Sequence, residues 1–391
     1  MRGKILLTGA TGFVGSYLLA RLLEEGFEVF CLLRKKNGLD PYNRLCCALE
    51  SCLEEQGQLK SVLSQVHIVH GDVTEERLGL GTGTYRTLTS GIRAVFHCAA
   101  LTDFSPELSR EQWMCNVQGV ENLLRFTLEA SADDGFHYLS TAYVAGDRDG
   151  VIYEDELDKG QGFNNGYEHS KFMAEKILQN HSMQTDLKIT IYRPSIIVGH
   201  SQTGESKLFN GIYHFLRVLY LIKKRYGQDC KVGKTLIPLR VLGKPMVTKS
   251  FVPIDYVAGL IMKIFLNPSI HGKTYHLINA NPPTLYHIKK VMEEVLEITG
   301  VQFVDREAFT FVPPTRLEQL FTRETERYRP YLLREPLFND KHTQGVRADN
   351  DSLRGPYLDQ TALALLFKYA INSHWGKWEN RNAPVFIPKR A

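Results

Sequence analysis

The first half of the chain alternates short β-rich apolar runs with longer stretches that have helical periodicity. Candidate strands are Ile5–Thr8, Glu28–Leu33, Val66–His70, Ala94–Cys98, His137–Ser140 and Lys188–Tyr192, and candidate helices between them include Val14–Glu25, Gln112–Ala130 and Tyr167–Gln179. This alternation is typical of βαβ units with a parallel sheet, and right-handed crossovers favour a doubly wound topology. We therefore predict an α/β protein: a Rossmann-type doubly wound parallel sheet with a smaller, discontinuous α+β substrate region toward the C-terminus.

A glycine-rich turn joins the first predicted strand to the first predicted helix. Its glycines follow a GxxGxxG pattern at positions 9, 12 and 15. In this context glycine permits a tight turn and close approach of the backbone to a pyrophosphate, which the helix N-terminus attracts. The predicted dinucleotide contacts of this loop are Thr8, Gly9, Thr11, Gly12, Phe13, Val14 and Gly15.

The end of the second strand indicates which dinucleotide binds. NAD sites usually carry an acid there for the ribose 2′-hydroxyl, but this strand runs into Arg34, Lys35 and Lys36, with no acid before Asp40. A cationic cluster suits a 2′-phosphate, so we predict NADP(H). A solvated run of charges is the alternative interpretation. Further contacts are predicted where the third and fourth strands end, at Asp72, Val73, Ala99 and Ala100.

Three polar residues form a candidate catalytic group. Tyr167 and Lys171 are four residues apart, so a helix places them on one face, where an ammonium would lower the pKa of the phenol. Thr141 follows the fifth strand, at the sheet edge where such folds bind ligands. Asn116 lies in a predicted helix, and we expect it to bond the helix backbone and hold a proton-relay water. An ordinary helix pair and a turn-capping threonine are the structural alternatives.

These residues, in this order and spacing, resemble the extended short-chain dehydrogenase/reductases over about residues 4–280. A narrower resemblance, to the thioester reductase branch, is carried by Phe96–Phe104, Tyr138–Ala142, Tyr192–Gly199 and Phe251–Ala258. That branch includes the terminal reductase domains of carboxylic acid reductases and of polyketide and peptide synthetases, and the fatty acyl-CoA reductases. The resemblance implies that Arg34 and Arg44 lie near the 2′-phosphate, and that Pro194 and Ile196 contact the cofactor.

The resemblance also implies an activity, namely NADPH-dependent reduction of an acyl thioester to an aldehyde and possibly a primary alcohol. The first strand begins close to Lys4, so we expect a CoA thioester or an acyl or peptidyl carrier protein to be supplied in trans. Alternatives with the same fold act on a ketone or aldehyde, a sterol-like alcohol or a nucleotide sugar. A non-catalytic NADP(H) sensor is a further alternative, which the joint presence of Tyr167 and Lys171 disfavours.

The sequence changes character after Gly199, which predicts two regions. We expect the NADP-binding domain to span 1–200, with part of 245–280 returning to it, and the substrate-binding region to lie mainly in 201–391. The apolar segment Ile212–Tyr226 has a basic end, and its pattern favours a core helix. Alternatively, it lines an acyl tunnel, and its basic tail binds a carrier protein. We predict that Asp340–Gly355 is an exposed loop before a last helix over Asp359–Asn372.

Composition excludes several other classes of protein. At 43% hydrophobic residues, the 391-residue chain can bury a core, and a net charge of +4 is too small to indicate nucleic-acid binding. Seven cysteines without a CxxC pair indicate neither a disulfide framework nor a metal site. No apolar run reaches the ~18–20 residues of a membrane span, nor the ~7–15 of an N-terminal signal core. We therefore predict a cytoplasmic protein without a transmembrane segment.

Overall fold

The computed structural model describes residues 2–35, 40–50, 52, 63–229, 233–348 and 358–376. Numbered in chain order, its strands are β1 Lys4–Thr8, β2 Glu28–Leu33, β3 Val66–His70, β4 Ile92–His97, β5 Gly135–Leu139, β6 Val151–Ile152, β7 Ile189–Pro194, β8 Ile196–Val198, β9 Gln228–Asp229, β10 Thr235–Leu242, β11 Phe251–Pro253, β12 Thr274–Leu277, β13 Ile298–Val304 and β14 Leu337–Phe338. Its α-helices are α1 Phe13–Glu24, α2 Pro41–Glu50, α3 Thr82–Thr89, α4 Ser109–Trp113, α5 Gly119–Ala130, α6 Gly166–Gln184, α7 Ile212–Tyr226, α8 Ile254–Phe265, α9 Leu285–Val295, α10 Arg306–Phe311, α11 Arg316–Thr325, α12 Arg329–Leu333, α13 Lys341–Ala348 and α14 Gln360–Asn372.

The described chain divides into two compact units. The first contains residues 2–197, 254–280 and 336–348, and the second contains 198–253, 281–335 and 358–376. Residues 336–348 therefore belong to the first unit, although the sequence analysis placed them in the C-terminal region. No helix in the described ranges is long and apolar enough to cross a membrane.

A seven-stranded parallel sheet forms the centre of the first unit, in the order β12-β7-β5-β4-β1-β2-β3. Ile5, Leu6 and Leu7 in β1 are fully buried, as expected where helices cover both faces of a sheet. The α/β prediction and its six candidate strands are confirmed, with boundary shifts of one or two residues. The sheet contains one further strand, β12, which lies in the segment 245–280 that was expected to return to the first domain.

The order of the strands positions the site. From β1 the chain first adds β2 and β3 on one side, then β4, β5, β7 and β12 on the other. Thr8, the last residue of β1, lies between Leu32 of β2 and His97 of β4. The order therefore reverses at β1 and β4, and a crevice opens beyond their carboxyl ends, where open α/β sheets bind ligands.

The predicted helix Gln112–Ala130 is confirmed, with a π-helical turn over Met114–Gln118 within it. One local prediction was wrong. The predicted loop Asp340–Gly355 forms helix α13 up to Ala348, and its remainder lies outside the described residues. The buried carboxylate of Glu154 stabilises the start of this helix by accepting the backbone N–H of His342 at 2.6 Å.

The second unit contains a small mixed sheet in the order β13-β10-β9. Strand β10 is parallel to β13 and antiparallel to β9. Helix α7 packs against α11, and α9 packs against α14. One side of α7 is buried, including Tyr213, Leu216 and Leu219, which agrees with the core-helix interpretation of this segment.

Candidate active site

Two glycines of the β1–α1 turn are required by close backbone packing. Gly9 has a φ of +76°, and a Cβ there would lie 2.6 Å from the backbone nitrogen of Ala99. A Cβ on Gly15 would lie 2.1 Å from the carbonyl oxygen of Gly9. A larger residue at Gly9 would therefore force the turn away from the end of β4, and one at Gly15 would force the start of α1 away from the backbone of Gly9.

The N-terminus of α1 has the character of an anion site. Gly12 caps the helix without a side-chain hydrogen bond, and no acidic residue lies in the first turn, which starts with Phe13, Val14 and Gly15. The partial positive charge of this end is thus left for a ligand such as a pyrophosphate. Thr8 instead joins two strand ends, because its hydroxyl contacts His97 Nδ1 at 2.7 Å and accepts the N–H of Ala99 at 3.3 Å.

The cationic residues that were predicted for the 2′-phosphate lie together. Arg44, on α2, donates to the carbonyl oxygen of Arg34 at 2.9 Å and to the Thr11 hydroxyl at 3.4 Å. Arg34 also lies 3.9 Å from the carboxylate of Asp72. The sequence analysis found no acid near this strand end, but the fold brings one there from the end of β3. Lys36 lies outside the described residues.

The other predicted cofactor contacts follow strand ends of the same parallel sheet. Ala99 and Ala100 come directly after β4, and both are partly buried. Pro194 is the last residue of β7, and Ile196 begins β8. Val73 follows β3 and is buried, with its carbonyl oxygen accepting the Asn122 amide at 2.8 Å. All of these positions lie in the first unit.

Thr141 and Tyr167 are brought together although they follow different elements. Thr141 comes after β5 and caps a short turn by accepting the N–H of Tyr143 at 3.3 Å, as the capping alternative anticipated. Tyr167 lies in the first turn of α6, close enough to the Thr141 side chain for the two to interact. Burial raises the pKa of Tyr167, and the interaction with Thr141 opposes this only partly. The phenol therefore remains protonated at neutral pH and can act as an acid.

Lys171 is almost fully buried one turn further along α6. Its Nζ donates to the carbonyl oxygen of Leu139 at 2.7 Å and lies 4.0 Å from the centre of the Tyr138 ring. Burial lowers the pKa of Lys171 to about 7, against the opposing charge of Glu175. The expectation that Lys171 lowers the pKa of Tyr167 was wrong, because desolvation of the phenol dominates and moves its pKa upward.

Asn116 is completely buried in the π-helical turn. It was expected to bond the backbone of its own helix, but it bonds Leu101 instead. Its Oδ1 accepts the N–H of Leu101 at 2.8 Å, and its Nδ2 donates to the carbonyl oxygen of Leu101 at 3.0 Å. It also donates to the Ser170 hydroxyl at 2.9 Å. Both amide N–H groups are engaged, so only Oδ1 has capacity left for the predicted water.

Sequence reasoning missed two residues that contact the candidate catalytic group. Ser170 links Asn116 to the backbone of Tyr167, and its spacing of three residues from Tyr167 on a helix was an available signal. The ring of Phe104 stacks on that of Tyr167 with centroids 6.1 Å apart, a contact between loop and helix that no local pattern reveals. No group of three or more metal-binding side chains occurs in the described part of the chain.

The fold is that of the extended short-chain dehydrogenase/reductases. The family model described as male sterility protein, an NAD-binding domain, matches residues 7–261. The chain belongs to this family, and the family assignment made from the sequence is confirmed.

Relatives and solved structures agree with this assignment. Aldehyde reductase lnaA of Aspergillus flavus is 28% identical over 97% of this chain and 37% of its own length. The L-2-aminoadipate reductase large subunit of Eremothecium gossypii is 28% identical over 76% of this chain and 22% of its own length. The chain thus spans well under half of these relatives.

The fold is also that of known reductase domains. The terminal R domain of the myxalamid PKS-NRPS pathway superposes with a TM-score of 0.77 at 24% identity, covering 95% of this chain and 91% of that one. The thiolation-reductase di-domain of an archaeal non-ribosomal peptide synthetase gives 0.71 at 22%, covering 96% and 76%.

Proposed function

We propose that this chain uses NADPH to reduce the carbonyl group of an acyl thioester to an aldehyde and, in a second round, to a primary alcohol. The observation that carries the proposal is that the Thr141 side chain, just after the end of β5, lies within interaction distance of the Tyr167 phenol. Two hydroxyls that meet in this way are suited to bind one carbonyl oxygen. An aldehyde reductase that aligns with 97% of the chain supports the choice of reaction.

The two hydroxyls would stabilise the charge that develops on the oxygen during reduction. NADPH, when bound, supplies the hydride to the carbonyl carbon. Thr141 and Tyr167 then donate hydrogen bonds to the oxygen, and Tyr167 transfers its proton to it. From a thioester this gives a hemithioacetal, whose C–S bond breaks as its hydroxyl loses a proton, releasing a thiol and an aldehyde.

Lys171 would hold the nicotinamide ribose. An ammonium has three N–H donors, and the bond to Leu139 occupies one of them. The other N–H groups would donate to the ribose hydroxyls of the cofactor. In this proposal the lysine orients the cofactor and contributes positive charge, and it does not ionise the tyrosine.

Arg34 and Arg44 support NADP(H) as the cofactor. Arg34 directly follows β2, and the Arg44 guanidinium donates to its backbone carbonyl oxygen and to the hydroxyl of Thr11, just before α1. Arginine binds phosphate groups in a bidentate manner, so this arrangement suits a 2′-phosphate. Asp72 lies 3.9 Å from the Arg34 guanidinium at one side of the cluster.

The acyl group would arrive as a thioester on CoA or on a carrier protein. Relatives and neighbours include reductase domains of peptide synthetases, one of which is joined to a thiolation domain in its solved structure. We therefore propose a carrier-bound or CoA-bound thioester supplied in trans as the substrate.

The test is NADPH oxidation with a panel of acyl-CoA and acyl-carrier thioesters beside the matching aldehydes. We expect turnover of thioesters that Tyr167→Phe abolishes, while the exposed Tyr153→Phe, in the same unit, keeps it. Product analysis then separates aldehyde from alcohol. Turnover of aldehydes alone would contradict thioester reduction and identify a carbonyl reductase, and no turnover of either would overturn the proposal.

A further inference from the structure

Two buried side chains of α6 hold the end of β5. Lys171 donates to the carbonyl oxygen of Leu139, and Glu175, one turn further along, accepts a hydrogen bond from the hydroxyl of Ser140. Thr141 follows these two residues directly. The position of the Thr141 hydroxyl therefore depends on a clamp that one face of α6 forms on consecutive residues of the strand end.

Arg193 fixes Glu175 in this clamp. Its Nε lies 3.1 Å from each carboxylate oxygen of Glu175, and its Nη2 donates to Oε2 at 2.7 Å. Both side chains are almost fully buried. Replacing a buried ion pair by apolar groups is often neutral for stability, so stability alone is a weak reason for such a pair.

Glu175 also provides the negative charge near Lys171. The groups that face Lys171 are Glu175 on its own helix, His97 at the end of β4, Cys98 after β4, Cys115 in the π-helical turn and the Tyr138 ring on β5. Burial raises the pKa of both thiols and of Tyr138, and lowers that of His97 to about 3, so these four groups are neutral. Glu175 is a carboxylate held by Arg193.

We infer that Glu175 is a positioning residue of the reductase site, whose charge keeps Lys171 protonated and whose contact with Ser140 holds Thr141 in place. The inference rests on the proposed function for its catalytic meaning. Its two physical claims, on the charge of Lys171 and on the strand end, concern groups that do not depend on the substrate.

The first test is the titration of Lys171 in the full chain labelled with ¹³C-lysine, followed by NMR of the Cε signal. Lys171→Arg identifies the signal. In Glu175→Gln the side chain can still accept from Ser140, but its charge is gone, so we expect the Lys171 midpoint to fall by about one pH unit. The high-pH limb of kcat should move in the same direction.

Ser140→Ala is the matched control, because it removes the hydroxyl contact and keeps the charge. Its Lys171 midpoint should equal that of the wild type, while kcat falls as Thr141 loses its support. If Arg193, left unpaired, unfolds the single variant, Glu175→Gln/Arg193→Gln is compared with Arg193→Gln. These two variants differ only in the charge of Glu175, so the Lys171 midpoint of the double variant should lie about one pH unit below that of Arg193→Gln.

A Lys171 midpoint that is unchanged in folded Glu175→Gln, or equal in the double variant and in Arg193→Gln, would overturn the inference. The midpoint is read without substrate, so it separates this inference from the proposed function. A chain that lacks reductase activity but shows the fall would contradict only the proposed function. An active reductase with an unmoved midpoint would contradict only the role of Glu175.

Discussion

Asn116 donates a hydrogen bond of 2.9 Å to the hydroxyl of Ser170, which in turn donates at 2.8 Å to the carbonyl oxygen of Tyr167. This chain of bonds joins the π-helical turn to the first turn of α6. Because Asn116 also binds the backbone of Leu101, one buried amide holds the loop after β4 and the helix that carries Tyr167. The π-helical turn thus serves to place Asn116 between them, as such turns often do at functional sites.

Ser170→Ala should therefore lower both stability and turnover. It leaves a buried N–H of Asn116 without its acceptor, which costs about 1–3 kcal/mol in the free energy of unfolding. Urea unfolding and kcat for thioester reduction measure the two effects. Ser182→Ala is the control, because Ser182 makes a similar bond to Gln179 on the exposed end of the same helix. Equal effects of the two variants would contradict the bridging role of Ser170.

Arg44→Ala should weaken NADPH binding selectively. A charge-assisted hydrogen bond contributes about 1.5–3 kcal/mol, so we expect the Kd for NADPH to rise about 10- to 100-fold, while the Kd for NADH changes little. Quenching of protein fluorescence on titration with each dinucleotide measures both constants. Arg21→Ala, which removes an exposed cation paired with Glu24 on α1, should leave both unchanged. Equal losses for NADPH and NADH would contradict a 2′-phosphate site.

Stability should fall steeply as the pH falls below about 6. Burial lowers the pKa of His97, His137 and His276 to about 3 in the folded chain, whereas the ordinary value is 6.5. Between these values the unfolded chain binds more protons, so stability is complete above pH 6.5 and is lost as the pH falls toward 3. Each histidine contributes up to about 1.4 kcal/mol per pH unit.

Urea unfolding between pH 7 and 4, followed by circular dichroism, tests this dependence. His137→Phe is the variant of choice, since His137 stacks on Phe96 with ring centroids 4.6 Å apart and an aromatic ring can keep that contact. The variant loses the hydrogen bond to Tyr192, so its stability at pH 7 should fall. The free energy of unfolding of the variant should nevertheless change less steeply with pH than that of the wild type. An equally steep change would be contrary to the prediction.

The sheet could be predicted from the sequence because each part of its signal is local. Alternating apolar runs, a glycine turn after a strand and helical spacing between Tyr167 and Lys171 are all properties of neighbouring residues. Parallel strands then bring their carboxyl ends to one edge, so the placement of Thr141 beside Tyr167 follows from topology.

The electrostatics of the site could not be predicted in the same way. The charge of Lys171 can be recognised in the sequence, but the loss of solvation that raises the pKa of Tyr167 and lowers that of Lys171 cannot. Likewise, the pairing of Arg34 with Asp72 depends on residues of two different strand ends. Burial and long-range pairing arise from packing, and no local pattern specifies them.

The glycine turn allows a matched pair of substitutions. In Gly15→Ala the new Cβ would lie 2.1 Å from the carbonyl oxygen of Gly9, so the turn must move and NADPH binding should fall below detection. In Gly83→Ala, within helix α3, no atom lies within 4 Å of the new Cβ, and the helix should gain about 0.5–1 kcal/mol. Dinucleotide titration and thermal unfolding of both variants measure these opposite effects. If Gly15→Ala bound NADPH like the wild type, the turn would not be the pyrophosphate site, because this Cβ cannot be accommodated without a shift of the Gly9 backbone.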